Sequence, residues 1–271
     1  HEGCTPLGHA FMVRRVCAQV NGVITLAAGG AMQETVAELS PRPAAPRSKP
    51  MVYRVKRLPK PAGLDTSWDG PVWNDVDALQ LMNYMGDRPA HFPKTQARLV
   101  YDDESIHVMF RVEDRYVRAI AEGHGGPVWR DACVEFFFAP SDAPMSGYFN
   151  LEMNCGGAIL FNHQFRPWKE KVPVALSNIE RLEVFHSLPK IVDPEITDPI
   201  VWTAGYRLPL EIVARHCPTM KMPAPGVAWR ANFYKCAENN SHPHWLTWNK
   251  VEFPKPNFHL PEYFGTIEFV G

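Results

Sequence analysis

Five short segments of this chain alternate strictly between apolar and other side chains, and this alternation restricts the fold more than any other feature. They span residues 106–113, 133–138, 148–154, 202–208 and 229–234. Successive side chains of an extended strand point to opposite faces, so a period of two indicates strands with one face in a core. No long segment has the 3.6-residue period of a helix. The pattern predicts an all-β sandwich or barrel, with one short helix at residues 209–217.

The first 50 residues carry no such pattern. Residues 39–50 are rich in proline, which predicts a disordered linker, so we expect an extension at 1–50 and a folded domain at 51–271. Residues 12–28 have a basic start and a fairly apolar run, the shape of a signal peptide, although Gln19 and Asn21 interrupt it. The compartment stays open: extracellular or periplasmic with a working signal, cytoplasmic without one. No apolar run is long enough to predict a membrane span.

Charge and cysteine content exclude several classes of protein. The formal net charge is -1 and no block of five like charges occurs, which argues against nucleic acid or an anionic membrane as partner. Six cysteines are present without a Cys-x-x-Cys pair, so a zinc ribbon is unsupported. Cys133 and Cys236 lie within apolar strand-like segments and are predicted to be free, buried thiols.

The side chains that alternate with the apolar ones are unusually rich in carboxylates and amides. Segments 133–138 and 148–154 are joined by a Pro/Ser/Asp/Gly loop and are predicted to form a hairpin. The outward sets of these two segments and of 229–234 are Glu135, Asn150, Glu152 and Asn154, then Arg230, Asn232 and Tyr234. Planar, directional hydrogen-bonding groups of this kind suit the recognition of hydroxyl groups. The alternative is an ordinary solvated face of paired charges.

Aromatic residues stand in the turns beside this polar face. Trp129 precedes the strand that carries Glu135, and Phe258 and His259 lie in a C-terminal loop. Two aromatic rings beside a polar groove can hold a pyranose ring, whose C–H faces are apolar. Loop aromatics that simply cover the core are the alternative.

Several phrases together resemble the family 9 carbohydrate-binding modules over residues 52–271. They are Leu64-Asp-Thr-Ser-Trp-Asp-Gly-Pro-Val-Trp73, Trp129-Arg-Asp-Ala-Cys-Val-Glu135 and the ending Phe264-Gly-Thr-Ile-Glu-Phe269. The phrases Gly147-Tyr-Phe-Asn-Leu-Glu-Met-Asn-Cys155, Trp229-Arg-Ala-Asn-Phe-Tyr-Lys-Cys236 and Ser241-His-Pro-His-Trp245 are similar to a bacterial subgroup, the carbohydrate-binding family 9-like proteins. The resemblance implies a DOMON-like, jelly-roll-like antiparallel β-sandwich that binds mono-, oligo- or polysaccharide without cutting it, alongside glycoside hydrolases that degrade polysaccharide.

The resemblance also assigns roles to residues. Its two aromatic walls fall on Trp129 and Phe258, and its groove carboxylate on Glu135. An Arg and an Asn of the family's next strand fall on Asn150 and Glu152, and this departure leaves the identity of the sugar open. Calcium is common in the family, and Asp114 and Asp131 are its acidic candidates here.

Three other functions remain open at this stage. A glycoside hydrolase needs two carboxyl groups roughly 5–9.5 Å apart; Asp131 and Glu135 would stand about 13 Å apart along a strand, whereas Glu135 and Glu152 of a hairpin are not excluded. A haem-binding DOMON-like domain needs axial ligands such as a Met and a His. Met153 is predicted to point into the core and His107 to the opposite side of its strand, so these two do not form a convincing pair. A metal site at His242, His244 and His259 is the third possibility.

Overall fold

A computed structural model describes residues 49–166 and 170–271, so the predicted extension at 1–50, with its signal-like segment, lies almost entirely outside the described residues. The described strands are β1 (Val52–Arg57), β2 (Leu79–Gln80), β3 (Asn83–Tyr84), β4 (Lys94–Tyr101), β5 (Ser105–Asp114), β6 (Val117–Ala119), β7 (Cys133–Ala139), β8 (Tyr148–Asn154), β9 (Ile159–Arg166), β10 (Glu170–Pro173), β11 (Glu183–His186), β12 (Val192–Ile196), β13 (Ile200–Pro209), β14 (Ala228–Ala237), β15 (His244–Thr247) and β16 (Gly265–Val270). The helices are α1 (Leu176–Ile179) and α2 (Leu210–His216), and 3-10 turns span Val128–Arg130 and Pro261–Tyr263.

All five alternating segments form strands, namely β5, β7, β8, β13 and β14, which confirms the all-β prediction. In β7 the side chains of Val134, Phe136 and Phe138 enter the main core, and the side chains between them point to the opposite face. β7 and β8 form the predicted antiparallel hairpin. The predicted short helix is α2. Neither helix in the described ranges has the length and apolar character that crossing a bilayer requires.

The strands form one long sheet that curls back on itself. Its order is β10-β9-β8-β7-β14-β16-β1-β4-β5-β13-β11, and β6 and β12 form a separate pair. Most neighbours are antiparallel, as predicted, but β1 runs parallel to both β16 and β4. Curling brings the two halves of the sheet face to face, and Phe110 of β5 lies 6.3 Å from Phe233 of β14, between ring centroids. The fold is therefore an all-β sandwich.

Stacked aromatic rings dominate the core between the two layers. Phe136 stacks on Phe233 at 4.8 Å between ring centroids, and Phe138 stacks on Phe149 at 5.2 Å and on Trp229 at 5.6 Å. Each such side chain loses nearly all its contact with water, which stabilises the fold by about 1.5–3 kcal/mol. This packing holds β7, β8 and β14 rigidly side by side, and these strands carry the candidate site on their other face.

The other face of β7 and β14 was expected to be an exposed polar face, but much of it is covered, so the alternative of an ordinary solvated face does not hold there. Phe137 of β7 and Tyr234 of β14 pack in a second apolar cluster with Val251, Phe258 and Phe264 from the C-terminal segment. This C-terminal segment, residues 248–264, connects β15 to β16 and crosses the face. Polar residues on the same face are consequently buried, and the cover leaves a cavity at one end.

Candidate functional site

A cavity of about 200 Å³ opens where the C-terminal segment leaves the outer face of β7, β8 and β9 uncovered. Residues at every second position of the strands form its floor because they share one face. Its lining consists of Trp129, Glu135, Phe137, Asn150, Glu152, Leu160, Asn162, Gln164, Lys171, Cys236, Glu238, Trp245, Pro256, Asn257, Phe258 and His259. The structure therefore brings together six of the nine predicted sugar-binding residues: Trp129, Glu135, Asn150, Glu152, Phe258 and His259.

Two carboxyl groups stand side by side in the floor. Glu135 of β7 lies directly opposite Glu152 of β8 in the strand register, and their side chains are 2% and 4% exposed. Burial raises the pKa of Glu152 to about 7, although a hydrogen bond from Asn150 opposes the shift. Burial also raises the pKa of Glu135 well above its usual value, and Cys236 and Glu152 raise it further. Burial therefore shifts both carboxyl groups toward the neutral form, in which a carboxyl group can donate as well as accept.

A chain of side-chain hydrogen bonds crosses the floor from β9 to β8. The amide of Gln164 donates to Asn150 Oδ1 at 3.0 Å, and the amide of Asn150 donates to Glu152 Oε1 at 2.8 Å. Three buried atoms of this floor have no hydrogen-bond partner: Glu152 Oε2, Asn162 Nδ2 and Gln164 Oε1. A buried polar atom without a partner costs about 1–3 kcal/mol, and such atoms are rare in folded proteins. The floor thus presents both acceptors and a donor that a polar ligand can satisfy.

Trp129 and Trp245 form half-buried aromatic parts of the wall. Trp129 lies in the 3-10 turn that precedes β7, and this turn is anchored by the fully buried Val128. Trp245 belongs to β15, where it pairs with Cys236 of β14, and its Nε1 donates to Glu238 at 3.4 Å. Sequence reasoning missed Trp245 as a lining residue, because a four-residue strand is too short to show a period.

Phe258 forms a third aromatic part of the wall and is held from behind by Tyr234. The two rings stack at 4.1 Å between centroids with planes 12° apart, and the Tyr234 hydroxyl donates to the Phe258 carbonyl at 3.1 Å. Tyr234 is fully buried beneath this stack. Tyr234, predicted to bind sugar, therefore supports the aromatic wall and does not itself line the cavity.

Asn232 and Arg230 also lie away from the cavity, contrary to the prediction. The side-chain oxygen of Asn232 accepts from the backbone N–H groups of Phe233 and Asn249, and its amide donates to the Asn249 carbonyl. Arg230 donates to the carbonyls of Pro261 and Phe264, which fixes the C-terminal segment. Asn232, Arg230 and Tyr234 share the face of Glu135, as predicted, but the C-terminal segment covers Asn232 and Tyr234, and Arg230 lies exposed beside it.

His259 lines the cavity, and the Tyr148 hydroxyl holds its ring in position. Its Nδ1 lies 2.8 Å from the Tyr148 hydroxyl, and burial lowers the pKa of His259 to about 4. The imidazole is therefore neutral at ordinary pH, with one ring nitrogen as donor and the other as acceptor.

The remaining lining residues were not identified from the sequence. They are Phe137, Leu160, Asn162, Gln164, Lys171, Cys236, Glu238, Pro256 and Asn257. The alternation Asn162–His163–Gln164 within β9 was the available signal for two of them.

The two calcium candidates have surroundings that do not fit calcium. Asp114 accepts from His91 at 2.7 Å and from the Trp202 indole at 3.1 Å, and the Lys235 ammonium lies 3.5 Å away. Asp131 accepts from two backbone N–H groups and from the amide of Asn154. Calcium needs six to eight oxygen ligands, whereas these carboxylates are surrounded by N–H donors.

The three histidines considered as a metal site have separate partners. His244 lies 2.8 Å from Lys235 Nζ, His242 stacks on Tyr116, and His259 is held by Tyr148. The residues considered as haem ligands are likewise committed elsewhere. Met153 is fully buried in the core, and His107 Nε2 lies 2.9 Å from Asp102.

The family model described as carbohydrate-binding family 9 matches residues 72–269. A proposed carbohydrate-binding protein from Bacteroides uniformis has a similar structure, with a TM-score of 0.72 and 25% identity over 82% of this chain and 100% of that one. No curated protein matches the sequence significantly.

Two further structures share the fold at lower identity. They are of a family 9 carbohydrate-binding module from Caldicellulosiruptor kristjanssonii. In complex with cellotriose, the TM-score is 0.54, with 15% identity over 82% of this chain and 94% of that one. In complex with glucose, it is 0.53, with 16% identity over 80% and 96%. The family model covers most of the described sandwich, including the cavity floor. The chain belongs to carbohydrate-binding family 9.

Proposed function

We propose that this protein binds the end of a carbohydrate chain, or a single sugar, in the cavity bounded by Trp129, Trp245 and Phe258, and that it does not cut its ligand. The observation that carries the proposal is the floor of the cavity. Glu152 Oε2, Asn162 Nδ2 and Gln164 Oε1 are buried without hydrogen-bond partners. Sugar hydroxyl groups both donate and accept, so one ring edge can satisfy all three atoms.

The walls suit the other surface of a sugar. The C–H faces of a pyranose are apolar and pack against aromatic rings. Burying one face against a ring contributes on the order of 1–3 kcal/mol per wall. Association costs consume most of the total, so we expect a dissociation constant of about micromolar to millimolar. Pockets for drug-sized ligands measure roughly 300–1,000 Å³, and this cavity, at about 200 Å³, suits a chain end rather than a long stretch of polysaccharide.

The carboxyl groups support binding rather than hydrolysis. A glycosidase needs one carboxyl group as acid and a second that is free to act on the sugar or on water. Here both carboxyl groups are engaged within the floor, since Glu135 accepts from the Cys236 thiol and Glu152 accepts from the Asn150 amide. The other pair considered fails on position: Asp131 is engaged by backbone N–H groups and is absent from the cavity lining.

The relatives support the same proposal. The described fold matches modules whose complexes contain cellotriose and glucose. A glycan array probed with the full chain tests the proposal directly. We expect binding to at least one group of glycans that share a terminal sugar, and no release of reducing sugar from them. A folded protein that binds no glycan on the array, or that hydrolyses one in a Glu135-dependent manner, would contradict the proposal.

A further inference from the structure

Two thiols and a carboxyl group meet at the inner end of the cavity floor. Cys133 of β7 lies directly opposite Cys236 of β14 in the strand register, and Glu135 follows two residues after Cys133 on the same face. One ligand atom from each of the three lies within 4.8 Å of the others. Within residues 49–166 and 170–271, no other three His, Cys, Asp or Glu side chains meet so closely.

The prediction that Cys133 and Cys236 are free, buried thiols is confirmed. Their surroundings nevertheless differ from those of cysteines that only fill a core. Cys236 Sγ lies 3.1 Å from Glu135 Oε1 and 3.3 Å from the backbone carbonyl of Trp129. Two potential oxygen ligands therefore approach one sulfur, and the second sulfur stands across the strand pair.

A second observation links this cluster to a ligand. Cys236 and Glu135 line the cavity, so the cluster is reached from solvent through it. Glu152 lines the same floor opposite Glu135, is 4% exposed, and its Oε2 has no partner. An incomplete set of buried acceptors of this kind is what a cation would complete.

We infer that Cys133, Glu135 and Cys236 form a site for a thiophilic divalent cation such as Zn²⁺, at the floor of the cavity. Zn²⁺ takes thiolate sulfur at about 2.3 Å and carboxylate oxygen at about 2.0–2.2 Å in a tetrahedron. Binding releases the thiol protons to solvent and involves no oxidation. Calcium is disfavoured because it does not accept thiolate ligands.

Three protein ligands leave a fourth tetrahedral position open. That position faces the cavity, since Glu135 and Cys236 both line it. Zinc sites with three protein ligands hold water or a ligand atom in the open position. The cation would thus present a binding position for an oxygen atom of whatever occupies the cavity. The site shares Glu135 with the proposed sugar cavity, but the titration needs no sugar, so a failure of this inference and a failure of the proposed function are distinguishable.

The test is a titration of the reduced full chain with Zn²⁺ against a competing chromogenic chelator, without sugar. Cys4 and Cys17 are replaced by serine in the parent so that they contribute no thiol. We expect one equivalent of Zn²⁺ per chain, bound with at least tenfold lower affinity in C133S, C236S and the near-isosteric E135Q. The matched control is C217S, because Cys217 is a buried free cysteine outside the cluster; it should bind as the parent does.

Cobalt provides a measurement that does not depend on the variants folding. Co²⁺ bound by two thiolates in this parent should give intense sulfur-to-cobalt charge-transfer absorption. Adding Zn²⁺ should displace the Co²⁺ and abolish this absorption. The inference is overturned if the folded parent shows no such absorption. It is equally overturned if folded C133S and C236S bind Zn²⁺ as tightly as the parent, since the thiols would then not be ligands.

Discussion

Glu135 and Glu152 are direct cross-strand neighbours, and both are almost completely buried, although neither forms an ion pair with a cation among residues 49–166 and 170–271. Side chains directly opposite in an antiparallel pair have Cβ atoms about 4.5–5.5 Å apart, and two ionised carboxylates there repel each other. Burial raises the pKa of both groups, and protonation of either one removes this repulsion. This arrangement lowers the stability of the fold, and it leaves hydrogen-bonding groups in the cavity floor that a ligand can satisfy.

Replacing Asn162 by alanine should separate stability from binding. Its amide nitrogen is buried without a partner, so the variant loses no hydrogen bond that this nitrogen donates in the free protein. We expect its free energy of unfolding to change by less than about 1 kcal/mol. Sugar affinity should fall at least fivefold, because a donor to the ligand is gone. Thermal unfolding and calorimetry measure the two quantities.

The matched control for this variant is Asn232→Ala. Asn232 is equally buried but makes three hydrogen bonds to the backbone. Its loss should cost about 2–4 kcal/mol of stability, since the backbone groups are left unpaired. If Asn162→Ala destabilises the protein as strongly as Asn232→Ala while binding sugar normally, then Asn162 is a structural residue.

Removing the Tyr234 hydroxyl should affect both stability and binding. The hydroxyl holds the carbonyl of Phe258, so Tyr234→Phe should lose about 1 kcal/mol of stability and loosen the aromatic wall. We expect a two- to fivefold weaker sugar affinity. Tyr101→Phe is the control, because its hydroxyl also donates to one carbonyl, at Val270, outside the cavity. Equal sugar affinities for the two variants would show that Tyr234 does not position Phe258.

A buried histidine makes stability depend on pH. His244 accepts from Lys235 and lies in a buried network with Asp114 and His91, and burial together with the Lys235 charge lowers the pKa of His244 to about 3. The unfolded chain takes up this proton near pH 6.5, whereas the folded protein does not. Stability is therefore present above pH 6.5 and lost as the pH falls toward 3, by up to about 1.4 kcal/mol per pH unit.

Denaturant unfolding between pH 7 and 4 measures this dependence. His244→Gln keeps an acceptor for Lys235 but does not titrate, so its free energy of unfolding should change less steeply with pH than that of the parent. His259, whose pKa is lowered to about 4, contributes a similar slope to both proteins. Parallel slopes for parent and variant would exclude His244 as a source.

The strands and the central carboxyl pair could be predicted from the sequence because both depend on local pattern. Alternation in β7 and β8 places Glu135 and Glu152 on the same face, and the short loop between the strands makes a hairpin. The same rule places Tyr234 of β14 on this face. That placement is correct, but periodicity gives no information about the C-terminal segment that crosses the face, so it could not predict that Tyr234 lies beneath Phe258.

Other parts of the site depend on contacts between distant segments. Trp245 reaches the cavity because β15 pairs with β14 and with β3. β15 has four residues and β3 has two, so neither strand is long enough to show a recognisable alternation in the sequence. Lys171 arrives with β10, the edge strand beside β9. The aromatic wall at Phe258 was expected only from the family resemblance, since nothing in the loop itself predicts that Tyr234 stacks beneath it.

The central claim is that the cavity beside Trp129 is the sugar site, and calorimetry on Trp129→Ala tests it most directly. The glycan identified by the array is titrated into the parent protein, into Trp129→Ala and into Phe253→Ala. Phe253→Ala is the control, because Phe253 is a half-exposed aromatic residue outside the cavity lining. Losing one aromatic wall should weaken binding at least tenfold in Trp129→Ala, while Phe253→Ala binds as the parent does. If folded Trp129→Ala binds the glycan with unchanged affinity, the cavity is not the site and the account is wrong.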